Sequence, residues 1–71
     1  MKVKEILNMD ADDFEKMMTQ EEFDRMQALG LKYTWQLLEA LQDSARSSGQ
    51  SEDEEHTTIS AYLDYLEDMK N

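Results

Sequence analysis

Residues 9–26 repeat themselves: M-D-A-D-D-F-E-K-M is followed directly by M-T-Q-E-E-F-D-R-M, and seven of nine positions match in identity or chemical class. Nothing else in the chain constrains its fold so strongly, because each copy carries a helix start. Asp10 and Thr19 are good N-cap residues, whose side-chain oxygens can accept a hydrogen bond from an orphan amide of the first turn. Three residues on stand Asp13 and Glu22. Thr19 with Glu22 forms a capping box, and Asp10 with Asp13 a weaker one. An apolar residue precedes each cap (Met9, Met18), and a phenylalanine sits four positions after it (Phe14, Phe23), as a hydrophobic staple requires. A single unbroken helix would place the two phenylalanines about two and a half turns apart, on opposite faces. A surface helix wants one apolar stripe, so the pattern favours a break at Met18–Thr19.

The rest of the chain is helical in period. Val3, Ile6 and Leu7 suggest a short helix or turn over 2–8, with Asn8 as its stop. Phe14, Met17 and Met18 are expected to face inward from the first repeat. Phe23, Met26 and Leu29 are expected to do so from the second. Gly30 can end that helix in the left-handed conformation, or lie within a longer one where another backbone approaches. Residues 31–43 are apolar over a wide arc and are expected to form the central helix, with Tyr33 and Trp35 contributing large contact area. In residues 58–70, Ile59, Tyr62, Leu63, Leu66 and Met69 follow the i, i+3, i+4, i+7 rule, with Thr57 or Thr58 as cap. No strand pattern and no proline occur. The segment Thr19–Leu41 resembles the last third of sterile-alpha-motif domains, where a short helix ends at Leu-Gly and a longer one follows. Helix–Gly–helix is a generic pattern, and no residue role is carried over.

The expected fold is therefore all-α: one domain, a small bundle of three to five short helices. Residues 1–43 form the helical core, 44–56 a flexible acidic linker, and 57–70 a C-terminal amphipathic helix expected to dock across the central one. Residues 44–56 carry no large apolar side chain, and their composition is that of a segment without a fixed structure. Glu52–Glu55 would lie at the favourable end of the last helix's dipole. A chain of 71 residues buries only about 60% of its unfolded surface. With no cysteine, it has no disulfide to compensate.

Function must be read from charge. The net charge of −10 argues against direct nucleic-acid binding, which draws its affinity from lysine and arginine on phosphates. It argues equally against anionic membranes. No apolar run approaches the about 18 residues of a membrane span, and the start lacks a signal-peptide core. A cytoplasmic protein is expected, in the host cytoplasm if a phage encodes it. Asp10-x-Asp12 with Glu21 imitates a calcium loop, but the fifth and sixth positions are Phe14 and Glu15, where a ligand and a glycine are needed. No catalytic triad or phosphate loop is present, and His56 reads as a solvated side chain beside Glu54 and Glu55. No enzyme activity, metal or cofactor is expected.

What remains is a small interaction module. Its size, charge and lack of a chemical site resemble, in type only, small phage or mobile-element proteins that bind and inhibit a host protein. The first expectation is an inhibitor or nucleic-acid mimic that occupies a basic surface of a partner, such as a nucleic-acid-binding protein. Its candidate acids are Asp10, Asp12, Asp13, Glu15, Glu21, Glu22 and Asp24, with Glu52, Asp53, Glu54 and Glu55 second. The alternative is a structural or assembly adaptor that homo-oligomerises or docks through its methionine and aromatic surface, with Tyr33, Trp35, Tyr62 and Tyr65 as anchors.

Overall fold

Thr19 is where the two halves of the repeat part. A computed structural model, which describes residues 1–70, contains five helices: α1 (Val3–Asn8), α2 (Ala11–Met17), α3 (Gln20–Ala28), α4 (Thr34–Ser47) and α5 (Ile59–Lys70). Both repeat caps are made. The Asp13 amide donates to Asp10 Oδ1 at 2.8 Å. The Glu22 amide donates to Thr19 Oγ1 at 3.2 Å, and the Thr19 amide to Glu22 Oε1 at 2.9 Å. These bonds satisfy amides that have no partner inside their own helix.

Gly30 ends α3. Its φ is +92°, its amide donates to Gln27 O at 2.9 Å, and the next amide, of Leu31, donates to Met26 O at 3.3 Å. That pair of bonds is the Schellman motif. A Cβ on Gly30 would meet nothing within 4 Å, so the residue is required for its backbone angle, not for a close approach. Gly49, with φ +73°, also follows the end of a helix, α4, but there the next amide, of Gln50, donates to Ser48 Oγ at 3.2 Å.

The central helix begins later and ends later than its apolar arc suggests, at Thr34 and Ser47 instead of 31 and 43. Ala45 continues the buried stripe of Thr34, Leu37, Leu38 and Leu41, one helical turn beyond the last large side chain. Its start is held by Gln36, whose Oε1 accepts from the Lys32 and Tyr33 amides at 2.9 and 3.1 Å. Helix α4 packs against α1, α2 and α3. It also caps its neighbour: Gln42 Nε2 donates to the Ile6 and Met9 carbonyls at 3.0 and 3.2 Å, which holds the end of a six-residue helix too short to persist alone.

Helix α5 docks chiefly on α3, and not across α4 as its amphipathic stripe suggested. The reason is polar as well as apolar. Arg25 on α3 donates to Glu67 Oε1 at 2.7 Å and also pairs with Asp64. Lys70 Nζ donates to Ala28 O at 3.0 Å, closing the end of α3. Thr58, not Thr57, caps α5, its Oγ1 accepting from the Ala61 amide at 3.1 Å.

The core comprises Val3, Ile6, Phe14, Met26, Leu37, Leu38, Leu41, Ala45, Ile59, Tyr62 and Leu63. The Cα positions span 31 × 28 × 15 Å. The shortest extent leaves room for about two helix layers at the usual 8–10 Å spacing, so several apolar residues remain at the surface. Met17 is one of them, 49% exposed where an inward position was expected. Trp35 is another, 50% exposed. It precedes the buried pair Leu37 and Leu38 but falls outside the stripe that Thr34, Leu38, Leu41 and Ala45 define.

The segment 44–56 divides into two parts. Residues 44–47 are the last turn of α4. The remainder is joined to the start of the chain. The first two amides of α1, Val3 and Lys4, donate to Glu54 O and Glu52 O at 3.0 Å each, and the His56 amide donates to Met1 O at 2.9 Å. The acids Glu52–Glu55 thus gather at the N-terminus of α1, not of α5, where the dipole favours them equally. His56 is not free in solvent. Gln50 Nε2 donates to Glu55 O at 3.0 Å, which turns its Oε1 toward His56 Nδ1, 2.6 Å away, while His56 Nε2 lies 3.0 Å from Ser44 Oγ.

Candidate acidic interaction face

Two groups of acids were candidates, and the fold treats them differently. In the loop, Asp53 Oδ1 lies 2.9 Å from Lys4 Nζ, and Glu55 Oε2 lies 3.1 Å from the Met1 ammonium. Half of that group is therefore neutralised within the chain. The seven acids of the repeat are not. Among the described residues none of Asp10, Asp12, Asp13, Glu15, Glu21, Glu22 and Asp24 forms an ion pair. Asp10 and Glu22 serve as caps, and Asp24 accepts from Gln20 Nε2 at 3.0 Å. Asp12, Asp13, Glu15 and Glu21 are exposed and hold no side-chain hydrogen bond, so their carboxylates stand free.

This face is not flat. Where α2 ends and α3 begins, a notch of about 260 Å³ opens, lined by Glu15, Met18, Thr19, Gln20 and Phe23. It is a direct product of the helix break: the extended backbone at Met18 and Thr19 separates two helix surfaces that one continuous helix would have merged. Met18 and Phe23 contribute apolar lining to the notch and Glu15 a carboxylate. A lysine or arginine side chain has the matching chemistry, an apolar stem with a cation at its tip. Sequence reasoning named Glu15 among the acids but not the notch; the staple residues beside a predicted break were the available signal.

The four aromatic candidates separate as well. Tyr33 and Trp35 are exposed and stacked on each other, with ring centroids 6.2 Å apart and planes within 9°. Tyr65 is also exposed. Tyr62 is corrected to a core position, 8% exposed, with its ring stacked on Tyr65 at 5.9 Å. Burial pushes the Tyr62 hydroxyl above the ordinary tyrosine value, and the nearby Tyr65 and Asp43 add to the effect. The Arg25 guanidinium is likewise held above its ordinary value, first by its hydrogen bond to Glu67 and then by that to Asp64.

Among the described residues no three His, Asp or Glu side chains converge as a metal site requires, and no helix is long and apolar enough to cross a membrane. Comparison of the chain with protein-family models, curated proteins and solved structures finds no match.

Proposed function

We propose that the chain is a non-enzymatic interaction module whose α2–α3 face occupies a basic surface of a partner protein. The observation that carries this reading is the notch at the helix break, set among carboxylates that form no ion pair among the described residues. A partner lysine or arginine would lay its stem against Met18 and Phe23 and bring its charge to Glu15. Neighbouring cations would meet Asp12, Asp13 and Glu21. Surfaces of this kind are built to hold nucleic-acid phosphates, so the work is that of an inhibitor or decoy, a task in the manner of small phage and mobile-element proteins. Exposed charges act over about 10 Å at 0.1 M salt and about 3 Å at 1 M, so binding should weaken steeply with salt.

The test leaves the caps intact. Asp12→Asn, Asp13→Asn, Glu15→Gln and Glu21→Gln are combined, and Asp10 and Glu22 are kept. Wild type, immobilised, should retain basic proteins from a lysate of its source cells and release them at high salt. It should also displace duplex DNA from the retained protein. The combined variant should do neither. Retention unchanged by the four neutralisations would end this reading.

The Tyr33–Trp35 stack supports a second reading, an assembly adaptor that docks through apolar surface. Two large rings half in water are a candidate anchor, because aromatic side chains dominate interface energies. Trp35→Ala should abolish such an association while leaving helix content unchanged, and the association should be nearly independent of salt.

A further inference from the structure

The notch at the helix break is lined by a single ionisable residue, Glu15, together with Met18, Thr19, Gln20 and Phe23. In this it differs from the depression between α3 and α5, where Arg25, Glu67 and Lys70 stand together and charge selects no ligand. Two cations lie near the notch in sequence, and neither lines it. Lys16 follows Glu15 but is turned from it by about 100° around α2. Arg25 faces α5 and is paired there with Asp64 and Glu67. Glu21 and Asp24, on the first turns of α3, are exposed and add charge of the same sign as Glu15.

The lining offers acceptors beside an apolar surface. Gln20 Nε2 donates to Asp24 Oδ1 at 3.0 Å. An ionised carboxylate only accepts, so this bond fixes which end of the Gln20 amide faces Asp24. Gln20 Oε1 is left as an acceptor with no donor among the described residues. Thr19 Oγ1 is engaged as the cap of α3, accepting from the Glu22 amide at 3.2 Å. Met18 and the ring of Phe23 are half-buried and packed against the core. The notch, at about 260 Å³, is smaller than drug-sized pockets, which start at about 300 Å³, and suits one long side chain.

We infer that the notch is an arginine site, which takes the guanidinium of one partner arginine in preference to a lysine ammonium. The inference rests on the acidic-face reading above and narrows it to one anchoring residue. A lysine head is a compact, strongly hydrated point charge. A guanidinium is planar and more weakly hydrated, pairs with a carboxylate through two parallel bonds, and lies flat on an aromatic ring. Here Glu15 receives the fork, Gln20 Oε1 accepts a further N–H, and Phe23 and Met18 cover the ring-facing side and the stem. The extended backbone at Met18 and Thr19 holds these two helix surfaces apart, so the site exists only because the helix breaks. One cation–π contact at an exposed position corresponds to a preference of about two- to five-fold.

Calorimetric titration of the full chain at low salt with two peptides of equal charge, hexaarginine and hexalysine, tests it. Hexaarginine should bind about two- to five-fold more tightly. Phe23→Leu keeps the notch apolar but removes the ring, and should bring the two affinities together. Circular dichroism verifies that this variant keeps wild-type helix content; Gln20→Ala, at an exposed position, decides the matter if it does not. Glu21→Gln, outside the lining, should weaken both peptides alike and leave their ratio unchanged. Equal affinities in the wild type would overturn the inference, as would an arginine preference that survives the deciding notch variant. In both cases the peptides still bind, so the acidic-face reading stands. If neither peptide binds the wild type, that reading fails and the arginine site fails with it.

Discussion

Helices α2 and α3 are near copies in sequence and opposites in environment. Both start from a side-chain cap three residues before an acid whose amide it accepts, and both carry a basic residue followed by methionine at the close of the repeat, where α2 ends and α3 runs on to Ala28. Yet Met17 is 49% exposed and Met26 is wholly buried, while Phe14 is wholly buried and Phe23 only partly so. Lys16 has no ion-pair partner among the described residues, and its counterpart Arg25 binds two carboxylates of α5. The difference lies in the neighbours. Helix α2 packs chiefly on α4, whereas α3 packs on both α4 and α5. A local pattern decides that a helix forms and where it starts. How many sides of it are covered is decided by elements distant in the chain.

The strongest way to break this comparison is to cut the two phenylalanines. Phe14→Ala should cost about 3–5 kcal/mol, against a total of about 4–10 kcal/mol for a chain of this length. Phe23→Ala should cost clearly less, and urea unfolding followed by Trp35 fluorescence would show both. Equal losses would mean that the repeat copies are equivalent after all. The methionines should reverse the order. Met26→Ala removes a buried side chain at about 2–5 kcal/mol, and Met17→Ala should stay within about 0.5 kcal/mol of wild type. The caps are where the copies should agree: Asp10→Ala and Thr19→Ala should each lose about 1 kcal/mol. A larger loss at Thr19 would credit the second bond of its capping box.

Two smaller effects sharpen the contrast. Arg25→Gln should lower the melting temperature, with the loss shrinking at high salt, while Lys16→Gln should leave it unchanged. Tyr62, on the helix that docks chiefly on the second copy, gives an alkaline signature. Its hydroxyl holds its proton more tightly in the folded chain than in the unfolded one. The stability this brings is fully present below about pH 10, the unfolded value, and is lost as pH rises through the folded value. Tyr62→Phe should flatten that alkaline decline in a melting-temperature series.

Much of this was readable in the residues. The two starts, the break at Met18–Thr19 and the amphipathic C-terminal helix are local features. Gly30 was readable as a stop but equally as an interior residue; the bonds from its own amide and that of Leu31 decided between them. The last turn of α4 was hidden because Ala45 is small and its neighbours are Ser44, Arg46 and Ser47, although Ala45 lies four residues beyond Leu41 on the buried stripe. The candidate site was legible as a composition and not as a place. Nothing in Glu52–Glu55 itself shows that Lys4 and Met1, some fifty positions away, neutralise two of the four.

The sequence by itself determined helix starts and stops, because a cap or a left-handed glycine satisfies amides and carbonyls within a few residues of its own position. It determined the net charge of −10. Only the tertiary structure decided which methionine is core, which aromatic faces water and which acids stand without a counter-charge. Burial and charge balance are sums over everything within a few ångströms, and at Arg25 and Glu55 the neighbours that decide them come from distant parts of the sequence.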